Sequence, residues 1–80
     1  MQAARLARLE ELVRVVVGLP DDAPVSDLRR AGEPRWDSLA QVSLLMAVEE
    51  ELGVTFSLED RARIDGFPAL VAAVERRLDP

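Results

Sequence analysis

One stretch constrains this chain more than any other: Trp36-Asp37-Ser38-Leu39, followed by Ala40-Gln41-Val42-Ser43-Leu44-Leu45-Met46-Ala47-Val48-Glu49-Glu50-Glu51-Leu52-Gly53. Asp37 is placed to cap a helix, because a short carboxylate can accept a bond from one of the first backbone N–H groups, which have no helical partner. Gly53 supplies the stop, where the backbone must turn left-handed and only glycine does so at no steric cost. The spacing predicts a helix from about Ser38 to Leu52. Ser38 falls in its first turn, with its hydroxyl reachable from solvent.

The rest of the composition limits what such a helix can serve. Eighty residues fit one small domain, 1–80, whose single core gives modest stability. The chain has no cysteine, histidine or lysine, and all ten of its basic residues are arginine. A disulfide, a thiolate nucleophile, an imidazole base and a Ser–Lys pair are therefore all ruled out within the chain. A net charge of −5 argues against nucleic acid and anionic membrane as partners and favours surfaces with basic patches. No apolar run approaches the roughly 20 residues needed to cross a bilayer, and the N-terminus lacks the pattern of a signal peptide. The expected location is cytoplasmic. No glycine loop for phosphate and no calcium loop occurs, and no metal site is expected, since Glu49, Glu50 and Glu51 point apart on a helix.

Around the central stretch the chain reads as helical throughout. Leu6, Leu9, Leu12, Val13 and Val16 recur at the spacing of one buried face, predicting a first helix over 2–17 that Gly18-Leu19-Pro20 ends. Residues 18–36 carry Pro20, Pro24, Gly32 and Pro34 and read as a long connection, anchored by Val25 and Leu28, with one turn around 26–30. Ser57, with Asp60 three residues on, resembles a capping box and opens a short third helix over 58–63. A last helix opens at Asp65-Gly66-Phe67-Pro68 and runs to about Leu78, with Leu70, Val71, Val74 and Leu78 on its apolar face. The expected fold is all-α: a four-helix bundle with a long loop between helices 1 and 2 and a short helix 3.

The second helix is apolar on more than one face. At about 100° per residue, Leu44, Leu45, Val48 and Leu52 form one stripe, and Leu39, Val42 and Met46 form a second beside Ser38. Glu49 and Glu50 interrupt the second set. One reading makes it a docking surface, with apolar anchors and carboxylates that steer a basic partner. The other makes both sets core, the second covered by the 18–36 connection. Ser38 itself, without a base anywhere in the chain, reads as the substrate of another enzyme and not as a catalyst.

Asp-Ser-Leu, the long apolar-and-acidic helix after it and the Glu-Glu-Glu-Leu-Gly close resemble the central segment of acyl and peptidyl carrier proteins, and the order of elements matches over the whole chain. The resemblance implies a non-catalytic carrier with the acyl-carrier type of four-helix bundle. Its cofactor would be 4′-phosphopantetheine from coenzyme A, attached to Ser38 and flanked by Asp37 and Leu39. Acyl or aminoacyl groups would then be held as thioesters on the only thiol available. The implied partners are a phosphopantetheinyl transferase, an acyl- or aminoacyl-loading enzyme, and downstream synthases, transferases or tailoring enzymes, with the carrier itself a monomer. They would dock on Trp36, Leu39, Val42, Ser43, Met46, Glu49 and Glu50. Gln41, Leu45, Val48, Phe56 and Ile64 would line the site where such proteins shelter an acyl chain.

Ala40 and Ser43 stand where fatty-acid carriers commonly place acids, so the likeness is closer to stand-alone carriers of specialised pathways of polyketide or nonribosomal-peptide type. A housekeeping fatty-acid carrier is the alternative, and an unmodified helical interaction module the alternative of another class. Gln41, within the core stripe, either makes the acyl site polar or bonds to loop backbone. Arg29, Arg30 and Arg35 either pair with acids or contact the phosphate of the arm.

Overall fold

The computed structural model describes residues 1–78 and is all-helical, with four α-helices and, among those residues, no β-strand. They are α1 (Ala3–Val17), α2 (Ser38–Leu52), α3 (Leu58–Arg63) and α4 (Phe67–Leu78). None is long and apolar enough to cross a membrane.

Each helix ends where its local chemistry dictates. Gly18 closes α1 at φ 86° and donates its N–H to the Arg14 carbonyl; Gly53 closes α2 at φ 67° and donates to Glu49. The α3 cap is reciprocal: Asp60 N–H donates to Ser57 Oγ at 3.1 Å, and Ser57 N–H donates to Asp60 Oδ2 at 3.2 Å. Pro68 sits in the first turn of α4, where a missing N–H breaks no helical bond. The first helix starts one residue later than its apolar spacing suggests, with Gln2 at the cap position. The terminal ammonium of Met1 reaches Glu75 at 3.3 Å and so ties this end to α4.

The core is built from one face of each long helix. Leu9, Val13 and Val17 of α1 meet Leu44, Leu45 and Val48 of α2 and Phe67, Leu70, Ala73 and Val74 of α4. Val54, Phe56 and Ile64 come from the segments flanking α3. Burying each large apolar side chain contributes roughly 1.5–3 kcal/mol. Val71 and Leu78, expected on the apolar face of α4, pack half-buried at its margin.

The connection between α1 and α2 is held by its backbone as well as its side chains. Val25 is buried and Leu28 half-buried, and Leu28 N–H closes a turn on the Val25 carbonyl at 2.9 Å. This turn lies in the expected 26–30 region, and a 3-10 turn at Arg30–Gly32 follows it. Between the two turns runs a short antiparallel bridge from Arg29 to Gly66. Arg30 N–H donates to the Asp65 carbonyl at 2.9 Å and Phe67 N–H to the Leu28 carbonyl at 2.8 Å, and Arg29 between them is extended. Gly66 permits this approach: a Cβ there would stand 2.6 Å from the Leu28 carbonyl oxygen.

Asp60 joins α3 to α4. It is buried, yet its carboxylate receives Arg77 Nε at 3.0 Å, a second and shorter contact from the same guanidinium, and Arg76 at 3.3 Å. The Arg77 hydrogen bonds, then the Ser57 N–H, then Arg76 hold its carboxyl far below the usual carboxylate range. A carboxyl lowered in the folded state stabilises fully above its unfolded value, about pH 4, and that contribution declines as pH falls from there. The melting temperature of the wild type should therefore exceed that of Asp60→Asn most at neutral pH, with the gap shrinking between about pH 4 and about pH 2. A gap that does not change with pH would contradict this role.

Candidate functional site

The start of α2 is built around a tryptophan that points inward. Trp36 is only 2% exposed, and its indole N–H donates to Gln41 Oε1 at 2.7 Å. Gln41 in turn donates its Nε2 to the Ile64 carbonyl at 2.9 Å. The next residue, Asp37, has extended backbone, and its Oδ1 accepts from Ala40 N–H at 2.9 Å. Because Asp37 makes the cap, the hydroxyl of Ser38 is not needed for it. Ser38 is the first residue of α2 and lies exposed, with Leu39 beside it.

Beyond Ser38 the outer face of α2 is apolar and uncovered. Leu39, Val42 and Met46 are 75, 52 and 59% exposed, which settles the choice between a second core stripe and a surface stripe in favour of the surface. Ser43 and Glu50 are exposed alongside them. Showing three large apolar residues to water on one face is unusual for a core helix.

Two residues expected on that surface are not available there. Trp36 is buried, because its ring fills the core under the first turn of α2 and its N–H is held by Gln41. Glu49 is engaged within the molecule: Arg61 bonds both of its carboxylate oxygens at 2.9 Å, and Phe56 N–H donates to Oε2 at 2.8 Å. Its side chain stays 17% exposed, so it closes α3 onto α2 and is not left free to steer a partner.

The expected acyl-site residues Gln41, Leu45, Val48, Phe56 and Ile64 are all buried, and the Gln41–Ile64 bond joins two of them. Their apolar members belong to the continuous core. Both ends of the Gln41 amide are used: Oε1 accepts from the Trp36 side chain, and Nε2 donates to backbone at the corner between α3 and α4. Surface cavities of about 370, 380 and 420 Å³ are lined by other residues.

The arginines near the motif divide. Arg35 pairs with the buried Glu33 at 3.3 Å and donates to the Gly18 carbonyl at 3.2 Å. Arg30 Nε donates to the Trp36 carbonyl at 3.3 Å. Arg29 is exposed and, with Arg30, Ala31, Trp36 and Asp65, lines the cavity of about 380 Å³.

The Trp36–Gln41 pair was not anticipated, although a signal for it exists. An indole N–H needs an acceptor when buried, and Gln41 is the one amide on the core stripe of α2. Comparison with known proteins adds no further identification: no protein-family model matches the chain, and neither does any curated protein.

Replacing Gln41 by leucine would leave the Trp36 N–H and the Ile64 carbonyl without partners inside the fold. Urea unfolding should show Gln41→Leu less stable by roughly 1–3 kcal/mol. An unchanged midpoint would mean that the amide is not the tie between α2 and the α3–α4 corner.

Proposed function

We propose that this chain is a carrier protein whose Ser38 receives 4′-phosphopantetheine, and that it takes acyl or aminoacyl groups between enzymes without catalysing a reaction itself. The observation that carries the reading is the presentation of Ser38. It is exposed at the first position of a fifteen-residue helix, free of the capping role, next to an uncovered apolar stripe. The resemblance of Asp37-Ser38-Leu39 and the helix after it to carrier proteins supports the same assignment.

The residues present fit such a group. In the transfer, Ser38 Oγ bonds to the coenzyme A phosphorus nearer the pantetheine. The phosphoanhydride bond breaks, adenosine 3′,5′-bisphosphate leaves, and the serine proton passes to a base of the transferase. The chain has no histidine or lysine to take that proton itself. Asp37 contributes position, since its carboxylate holds Ala40 N–H and so fixes the turn on which Ser38 rides. When attached, the arm supplies a thiol for thioester chemistry, which a chain without cysteine cannot provide. Leu39, Val42 and Met46 then serve as the contact by which partner enzymes find the arm.

Ala40 and Ser43, in place of acids, favour a discrete carrier of a specialised biosynthetic pathway over a fatty-acid carrier. The exposed stripe would also suit an interaction module that is never modified, and one experiment separates the two. Incubation with coenzyme A and a broad-specificity phosphopantetheinyl transferase should raise the intact mass by one phosphopantetheine, and Ser38→Ala should show no gain. An unmodified wild type beside a carrier that is modified would favour the interaction module.

A further inference from the structure

We propose that the outer face of α2 docks on a partner enzyme through an apolar groove, recognised by shape and buried area, and that Arg61 sets this preference by neutralising Glu49. The inference rests on the carrier reading and concerns the chemistry of the partner's surface.

The acidic sequence of α2 suggests a face that attracts a basic patch, but its carboxylates are dispersed or engaged. Glu49, at one edge of the Leu39–Val42–Met46 stripe, accepts from Arg61 through both oxygens and from Phe56 N–H as well. A cation on a partner would have to displace those bonds to reach it. Glu51 projects to the other side of the helix, where it pairs with Arg8 of α1. Asp37 precedes α2 at the Ser38 end, where its Oδ1 accepts the Ala40 N–H. Among the described residues that leaves Glu50 as the one acid of α2 without an ion pair, flanking the stripe together with the uncharged Ser43.

Three exposed apolar side chains over about two helical turns, with one unpaired carboxylate of α2 at their border, define the complement. It is an apolar groove with a single basic residue placed for Glu50. A broad basic patch would meet one charge and leave its other cations desolvated without partners. A second copy of the chain fits poorly, because α2 contains no basic residue to meet the partner's Glu50.

The test is the KM for modification by a broad-specificity phosphopantetheinyl transferase with coenzyme A, measured at about 0.05 and about 0.5 M NaCl. Circular dichroism confirms that each variant is folded. The wild-type KM should change by less than about twofold between the two salts. Met46→Ser should raise it on the order of tenfold with kcat retained. Arg61→Gln should raise it too, because an unpaired Glu49 would then border the groove and have to be desolvated, and Arg61→Gln combined with Glu49→Gln should reverse that rise. A steep increase of KM with salt, or a lower KM in Arg61→Gln, would show that charge is what the partner reads and would overturn the proposal. So would a dimer in light scattering that Met46→Ser abolishes. A wild type that is never modified would instead defeat the carrier reading on which the proposal rests.

Discussion

A single buried amide decides which side of α2 faces water. A glutamine on an apolar helix face is costly unless both ends of its amide are bonded. Gln41 meets that condition by spanning the Trp36 indole N–H and the Ile64 carbonyl. The connection before α2, the first turn of α2 and the corner before α4 are thereby joined through one side chain. With Trp36 drawn inward, Asp37 falls at the helix edge as its cap, and Ser38 and Leu39 are left exposed.

Electrostatics reinforce that arrangement more than they extend outward. Asp60 is the buried acid of α3 and Glu49 the half-buried one of α2, and each is held by arginine as well as by a backbone N–H. Guanidinium groups suit this work because they bond a carboxylate in a fixed plane and stay charged. The pairs exposed to solvent, such as Arg8 with Glu11, contribute little by comparison. A chain with a net charge of −5 therefore shows less free negative charge on α2 than its composition suggests.

What could be read from the sequence was local. Asp37 and Gly53 mark the ends of α2, Ser57 and Asp60 form the box that opens α3, and Pro68 sits in the first turn of α4. Each signal acts within four residues, so the chain carries it whatever the rest does. Helical spacing alone cannot say whether a second apolar stripe is covered, so the exposure of Leu39, Val42 and Met46 is not legible in the sequence. The departures all depend on elements distant in sequence. Trp36 is buried because a core forms beneath it, and Glu49 is engaged because α3 brings Arg61 alongside. The 3-10 turn at Arg30–Gly32 is an addition, and it follows an Arg29 held extended against Gly66, more than thirty residues on. Such contacts leave no periodic trace.

The central claim is that Ser38, and no other hydroxyl, is the point of attachment. Cleavage after arginine yields the peptide Trp36–Arg61, which contains Ser38, Ser43, Thr55 and Ser57 together. Fragmentation of that peptide, from protein produced alongside a phosphopantetheinyl transferase, locates the group to a residue. The account predicts the added mass in every fragment that includes Ser38 and in none that begins at Leu39. Attachment at Ser43 or Ser57, or a peptide that carries no phosphopantetheine, would contradict it.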